Sequence, residues 1–505
     1  GTGLRLRCFA TLHILLLWCS TSTHRCADSA AGNGAAHGGQ VAAPAVSDLV
    51  SERGLHAWQR HTGTGALAGD VWLDSGPAAG PRLGPCLVTT RVSDMSIAVT
   101  APLLDVPAGG MPTGLTLACE VRDGDRVVKE FAAPVGAAGS PTIARAAWPE
   151  AECWDIGKPR LYTLAVSLRR GADLLDQALP ESFGFREFEI RGRFFYLNGT
   201  RLNLRPCSYN VSRLYTLAPD CIDRWFERIV AEGRNLVYTE TVDGPNRHEA
   251  LQPLLRAADA RGVLMAITPM QINPFWQRLG DPSVRRAYEQ HLRQRAERVW
   301  NHPSLVFYRM NMNFCGYAQD QNPLLLSGEV MPPADSGLGR KFAAAKLSSE
   351  LMASIDPTRP SYHHASGNAG DIYTLNNYLC WPEPQDLREW LAVWAERGVK
   401  PLMMVEFDLP YPGSFSLLDP TSWWCNEPLM TEYGAILLGE RSYALEEDDY
   451  RDFTDLAWNR NAGKWESAYG YYCGAVPRIV DECSAAYYAT VLPAWRTWGL
   501  SGGIN

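Results

Sequence analysis

Two rhythms divide the chain. Between about residues 65 and 190, short β-rich runs are broken by Gly, Pro and Asp: Val71-Trp72-Leu73, Ser96 to Thr100, Leu115 to Val121, Arg126 to Phe131 and Leu161 to Leu168. Alternation of apolar and polar positions is the period of a strand with one buried face. Asp123-Gly124-Asp125, between two such runs, is a hairpin turn signal. Short strands without helical periods between them predict a β-sandwich over 65–190.

After about residue 195 the runs become continuously apolar and alternate with amphipathic stretches. Strands are expected at Leu202 to Leu204, Leu236 to Thr239, Leu264 to Thr268, Leu305 to Met310, Ser361 to His363, Ile372 to Leu375, Leu402 to Phe407 and Thr497 to Leu500. Helices are expected at 219–232, 247–261, 282–300, 341–355 and 385–397. Eight strands separated by helices match a (β/α)8 TIM barrel over 191–505. An open doubly wound sheet is the alternative, but no Gly-rich phosphate loop follows any strand. The expected fold class is therefore multidomain β plus α/β, a sandwich followed by a barrel. Roughly 90 residues between the seventh and eighth strands need helices or a lid. The barrel stops right after its eighth strand, as a C-terminally truncated chain would.

The N-terminus carries Arg5 and Arg7, an apolar stretch from Cys8 to Cys19, and small residues around Ser29-Ala30-Ala31. That order reads as a signal peptide over 1–31 and predicts a secreted or periplasmic protein; a buried strand or helix is the alternative. Residues 32–64 read as a linker or the remnant of a preceding domain. Across 505 residues, Lys+Arg 47 against Asp+Glu 55 gives a net charge of −8, which disfavours nucleic acid as a partner. No apolar run reaches the ~18 residues of a membrane span. None of the ten cysteines beyond residue 26 forms a CxxC or a Cys/His pair with metal spacing, so buried thiols with one or two bridges are expected, and neither a metal nor a cofactor.

In a barrel, chemistry sits at the C-terminal strand ends. The residues there are Ser208, Tyr209, Asn210, Glu240, Asp243, Gln271, Asn273, Asn311, Asn313, Asp320, His363, His364, Asn376, Asn377, Tyr378, Glu406, Asp408 and Trp498. Carboxylates, amides and aromatics dominate, and cations are few. Neutral polyols fit such a set better than phosphates, which want Arg or Lys. Glu406 ends the run Pro401-Leu402-Met403-Met404-Val405, and a carboxylate emerging from a buried strand is costly unless hydrogen-bonded or functional. A structural Glu paired with an Arg is the competing reading. His363 and His364 are expected as core or hydrogen-bonding residues, because no third metal ligand is visible. Trp498 is expected as a sugar-stacking floor. Asn311, Asn377 and Tyr378 are candidate sugar contacts or loop-satisfying groups. Arg205, ending the first strand, is expected as a buried cation that holds a site carboxylate ionised.

Several motifs resemble family 2 glycoside hydrolases. Phe183-Gly184-Phe185-Arg186-Glu187-Phe188-Glu189-Ile190, with Phe195-Tyr196-Leu197-Asn198-Gly199 and Leu204-Arg205, is similar to that family's junction between sandwich and barrel. Asn301-His302-Pro303-Ser304 resembles the approach to its fourth strand, and Lys400-Pro401 through Glu406-Phe407 its seventh. Gly69-Asp70-Val71-Trp72-Leu73 resembles the entry to its immunoglobulin-like domain. The resemblance covers about 65–505, and most of the family's N-terminal jelly-roll domain would be missing.

The resemblance implies hydrolysis of β-glycosidic bonds in oligo- or polysaccharides by a retaining, two-carboxylate mechanism. Glu406 takes the nucleophile's place. The acid/base Glu should close the fourth strand, yet the chain reads Tyr308-Arg309-Met310-Asn311-Met312-Asn313. Asn313 stands where the acid should be, and an amide neither protonates a leaving oxygen nor deprotonates water. Three readings follow. Another carboxylate replaces the acid: Glu432 is the favoured one, with Asp320 and Glu240 as options. Or the protein binds carbohydrate without cleaving it. Or Glu406 is the sole essential carboxylate.

Overall fold

The computed structural model describes residues 2–8, 71–77, 80–209, 219–239, 247–312, 314–315, 331–364, 367–377, 384–407, 435, 438–442, 444 and 478–503. In the N-terminal half, burial alternates along Ser96–Ala101, Leu115–Asp123 and Tyr162–Arg170. One sheet runs Asp173–Gln177, Tyr162–Arg170, Leu115–Asp123, Arg126–Pro134, and Glu181–Phe183 also pairs with Tyr162–Arg170. The other runs Leu87–Arg91, Ser96–Ala101, Thr142–Ala147. Their inward residues, among them Ile97, Val99, Leu117, Val121, Leu164 and Val166, share one core closed by Trp148 and Phe185. The expected hairpin forms, with Asp123 paired to Arg126 across Gly124 and Asp125.

Thr2–Cys8 pairs antiparallel with Val71–Pro77. The rest of the apolar N-terminal stretch and the segment 32–64 lie outside the described residues. Six described cysteines (Cys86, Cys119, Cys153, Cys207, Cys221 and Cys315) are reduced thiols. Burial pushes the Cys86 and Cys119 thiols up to about 12, so neither is a nucleophile.

A small antiparallel sheet follows, Phe188–Arg191, Phe194–Leu197 and Thr200–Leu202. Asn198 (φ 52) and Gly199 (φ 77) make its two-residue turn, where positive φ at both positions suits Asn-Gly. This hairpin takes up Leu202, so the first parallel strand starts later than expected, at Pro206–Tyr209.

The eight parallel strands lie in two sheets. Pro206–Tyr209, Leu236–Thr239, Leu264–Ile267, Leu305–Arg309 and Ser361–Tyr362 form one, in chain order. Tyr373–Asn377, Leu402–Phe407 and Gly502–Gly503 form the other. The sheets meet at both edges. The Asp371 amide donates to the Ser361 carbonyl at 2.9 Å, and the Leu204 amide to the Ser501 carbonyl at 3.0 Å. Helices Pro219–Ala231, Arg247–Arg261, Pro282–Val299, Gly337–Ile355, Pro384–Glu389, Ala392–Arg397 and Arg478–Thr497 alternate with them. The strands are continuously apolar because both faces are covered. Leu236, Tyr238, Leu264, Ala266, Phe307, Met403 and Val405 share an inner cluster with Phe188 and Phe195 of the hairpin. Val237, Met265, Ile267, Tyr308 and Met310 pack against helices instead.

Two expectations change in the last third. The stretch 385–397 forms two short helices. The eighth strand is Gly502–Gly503, because the preceding helix runs through Thr497 and ends at Gly499, whose φ is +95. Among the described residues, no helix is long and apolar enough to cross a membrane.

The motif Asn301-His302-Pro303-Ser304 joins the two halves. Asn301 Oδ1 accepts from the Val88 amide at 2.8 Å, and its Nδ2 donates to the Cys86 carbonyl at 2.9 Å. His302 Nδ1 meets Asp259 Oδ2 at 2.5 Å, and the Ser304 amide donates to Asp259 Oδ1 at 3.0 Å. Arg186 reaches across from the sandwich side to the carbonyls of Pro303 (Nε, 3.0 Å) and Leu305 (Nη2, 2.5 Å). These bonds hold the start of the fourth parallel strand against the sandwich, which sets where its far end lies.

Candidate active site at the strand ends

The C-terminal ends of the parallel strands carry Thr239, Thr268, Arg309, Asn311, His363, His364, Asn376 and Glu406. Arg309 lies at the centre of the described set and is fully buried. Its Nε donates to Thr268 Oγ1 at 2.9 Å and its Nη2 to the Thr239 carbonyl at 2.6 Å. Its guanidinium lies 5.3 Å from the centroid of the Tyr238 ring. Tyr238 in turn donates its hydroxyl to the Val405 carbonyl at 3.2 Å, and its ring is 6.2 Å from that of His364. Arg309 Nη1 is buried and, among the described residues, makes no hydrogen bond. Strands two, three, four, five and seven are thus tied through two side chains, Arg309 and Tyr238.

His363 and Asn311 meet in the interior. Asn311 is fully buried, and its amide Nδ2 lies 2.6 Å from His363 Nδ1. Ser349 Oγ, from helix Gly337–Ile355, lies 2.8 Å from His363 Nε2. The imidazole therefore bridges strand and helix. Burial, aided by the nearby Lys400, pulls its pKa down to about 3, so it stays neutral. His363 works as a hydrogen-bonding core residue, as expected, and the His364 ring is buried beside Tyr238. Among the described residues no group of three His, Cys, Asp or Glu could hold a metal.

The backbone of Glu406 is set by a register slip. Leu375 pairs with Met404, but Asn376 pairs with Glu406, so Val405 is an extra residue on the seventh strand. Leu402 and Met404 face the helices and Met403 and Val405 the interior, so strict alternation would send position 406 to the helix side. The bulge interrupts that alternation and puts position 406 in backbone register with Asn376. Asn377 is likewise placed as backbone of the sixth strand.

Other candidates fall elsewhere. Asn313, Tyr378, Glu240, Asp320 and Glu432 lie outside the described residues. Trp498 does not floor the mouth. It is 37% exposed, sits in the turn before the eighth strand, and donates its indole N–H to the Arg388 carbonyl at 2.7 Å. That is the N-terminal end of the strands, because the last helix runs one residue short of Trp498. Arg205 is also exposed and donates Nε to the Gly233 carbonyl at the same end. Among the described strand-end residues the buried cation is Arg309, which the expected site residues do not include. Its signal is nonetheless local, a lone charge inside the apolar run Leu305 to Met310. Of the tryptophans, Trp148, Trp154, Trp394 and Trp495 are fully buried, so these four serve packing rather than sugar stacking.

A groove of about 410 Å³ lies away from this end, lined by Lys346, Glu350, Asp371, Tyr373, Val399 and Lys400. Asp371 and Lys400 precede their strands, so the groove opens on the opposite side.

The family model described as glycosyl hydrolases family 2 matches residues 87–186, which are the sandwich. A β-galactosidase of Thermoanaerobacterium thermosulfurigenes is 25% identical over 261 residues, 50% of this chain and 32% of the relative. A β-galactosidase large subunit of Leuconostoc lactis is 26% identical over 220 residues, 40% of this chain and 34% of the relative. The chain thus spans about a third of the length of these curated relatives. A solved β-glucuronidase of Bifidobacterium dentium, complexed with coumarin-3-O-glucuronide, superposes with a TM-score of 0.55 at 16% identity, over 87% of this chain and 63% of that one. Such a likeness concerns the fold. The sandwich is thus similar to family 2 glycosyl hydrolases, up to half of the chain is similar to β-galactosidases, and the fold is similar to that of a β-glucuronidase.

Proposed function

We propose that the chain hydrolyses β-glycosidic bonds in oligo- or polysaccharides, on two parallel sheets that close into a (β/α)8 barrel. Glu406 is the nucleophile of a retaining mechanism. The observation that carries this reading is the bulge at Val405, which sets position 406 in register with Asn376 at the C-terminal strand ends. Bulges recur next to active sites, where they re-aim a side chain. The β-galactosidases that match half or less of the chain support β-glycosides as the substrate class.

Attack by the Glu406 carboxylate on the anomeric carbon forms a glycosyl-enzyme and expels the leaving oxygen, which water later replaces. Asn313 cannot protonate that oxygen, and general acid help is worth about 10²–10⁴-fold. Glu432 takes the acid/base role in this reading. The basic and apolar N-terminus supports an exported protein.

Asn313 also favours a second reading, a carbohydrate-binding protein that does not turn its ligand over. A panel of nitrophenyl β-glycosides separates the two, since nitrophenolate leaves with little acid help. Turnover that disappears in Glu406→Gln is the expected result. Saturable sugar binding without turnover in the wild-type protein establishes the second reading.

A further inference from the structure

We propose that the N-terminal side of the sixth to eighth parallel strands is a carbohydrate-binding surface remote from the proposed catalytic end: the groove beside Lys400 takes one sugar unit of a neutral polysaccharide, and the indole of Trp498 stacks on another. The inference goes beyond the hydrolase reading, and it holds equally for a protein that binds sugar without cleaving it.

Three observations lead to it. First, the groove holds about 410 Å³, within the range of about 300–1,000 Å³ usual for small-ligand sites. Its lining sets two cations, Lys346 and Lys400, against two carboxylates, Glu350 and Asp371. An anion drawn by the lysines is repelled by the carboxylates, and a cation meets the reverse. A neutral polyol suits both, because each hydroxyl donates one hydrogen bond and accepts others. Two of the four charges are held in place. Lys400 Nζ donates to the Gly370 carbonyl at 2.7 Å, and Asp371 Oδ2 accepts from the Ser361 amide at 2.7 Å.

Second, the groove wall holds an unmet acceptor. Asn368 Oδ1 is buried and has no hydrogen-bond partner among the described residues. A buried acceptor left unbonded is costly, and a ligand hydroxyl removes that cost. Val399 and Met331, both exposed, line the same groove and offer apolar surface to the C–H face of a sugar ring.

Third, Trp498 is exposed but its ring is fixed, since the indole N–H donates to the Arg388 carbonyl at 2.7 Å. A ring already held loses little conformational freedom when a sugar stacks on it. The ring and the groove lie at the two ends of one buried side chain, Trp394. Its Nε1 edge lies against Gly398, and its Cζ3 is 3.8 Å from where a Cβ on Gly499 would stand. Val399 follows the first of these glycines and Trp498 precedes the second. Groove and ring are therefore close enough for units of one sugar chain.

The test is native gel electrophoresis of the full-length protein in gels containing galactomannan, barley β-glucan or polygalacturonate. The inference expects at least one of the two neutral polysaccharides to retard the protein. Trp498→Ala and Asn368→Ala are each expected to weaken that binding at least about fivefold, with thermal midpoints that show both variants folded. Should Asn368→Ala fail to fold, Val399→Asp, a change at an exposed position in the same groove, takes its place. Absence of retardation by both neutral polymers overturns the inference. So does a smaller loss in either folded variant, which puts the binding elsewhere on the molecule. Stronger retardation by polygalacturonate than by either neutral polymer, lost in Lys346→Ala, also overturns it and identifies an anion site. Glycoside turnover plays no part in this measurement, so a failure of the hydrolase reading leaves its outcome intact.

Discussion

His363 offers a stability prediction that needs no knowledge of the substrate. The imidazole is buried between Asn311 Nδ2 at 2.6 Å and Ser349 Oγ at 2.8 Å. An amide N–H₂ facing Nδ1 makes that nitrogen an acceptor, so the proton sits on Nε2 and points to Ser349. A second proton on Nδ1 would face a donor, in a site that also excludes water. Burial first, and Lys400 second, hold the folded-state value near 3 against an ordinary 6.5. Below pH 6.5 the unfolded chain takes up this proton and the folded one does not. Stability therefore falls as pH drops from 6.5 towards 3, and is unaffected by this group above 6.5. Each unit is worth about 1.4 kcal/mol, so lowering the pH from 6.5 to 5 costs roughly 2 kcal/mol from this side chain alone. Denaturant titrations at pH 7, 6 and 5 on wild type and His363→Gln measure it. Gln offers an acceptor and a donor but does not titrate, so the wild-type curve falls by about 2 kcal/mol more than the variant's. Parallel curves, or an imidazole proton signal for His363 that titrates near 6.5 in the folded protein, refute the reasoning.

Two further predictions concern the joint between the halves. Arg186→Met leaves the carbonyls of Pro303 and Leu305 without their buried partner, and a loss of about 2–5 kcal/mol is expected by calorimetry, with the transitions of the sandwich and of the parallel-sheet half separating. Gly184→Ala would bring a Cβ to 2.7 Å from Trp154 Cβ and 2.8 Å from Pro303 Cβ. Overpacking of this kind costs about 1–3 kcal/mol, read as a lower denaturation midpoint with an unchanged slope.

The second to fourth and seventh parallel strands are legible in the chain because their signal is local. Leu402–Phe407 is a continuous apolar run, and the structure returns it with the same bounds. Helix Arg247–Arg261 is equally plain, since a face of Leu and Ala recurs at helical spacing. Local pattern fails at the first and last parallel strands. It assigns Leu202 to the first parallel strand, but Leu202 belongs to a hairpin set by Asn198-Gly199. It assigns Trp498 to a strand end, but Trp498 follows a helix, because the residues before it continue a helical turn and the two glycines after it pair instead. In both cases a shift of a few residues moves a side chain from one end of the strands to the other.

What the chain determines by itself is the succession of elements and the two kinds of layer, since periods of two and 3.6 follow from backbone geometry and need no knowledge of partners. It also marks the departure at Asn313, which is a matter of residue type. Only the tertiary structure decides which buried polar group meets which. Arg205 and Arg309 are both arginines at strand ends, yet one is exposed on a loop carbonyl and the other is sealed under the interior layer. The register of position 406 is another such case, because the extra residue at Val405 exists only relative to the neighbouring strand. Register and burial are relations between segments far apart in sequence, and no local pattern encodes them.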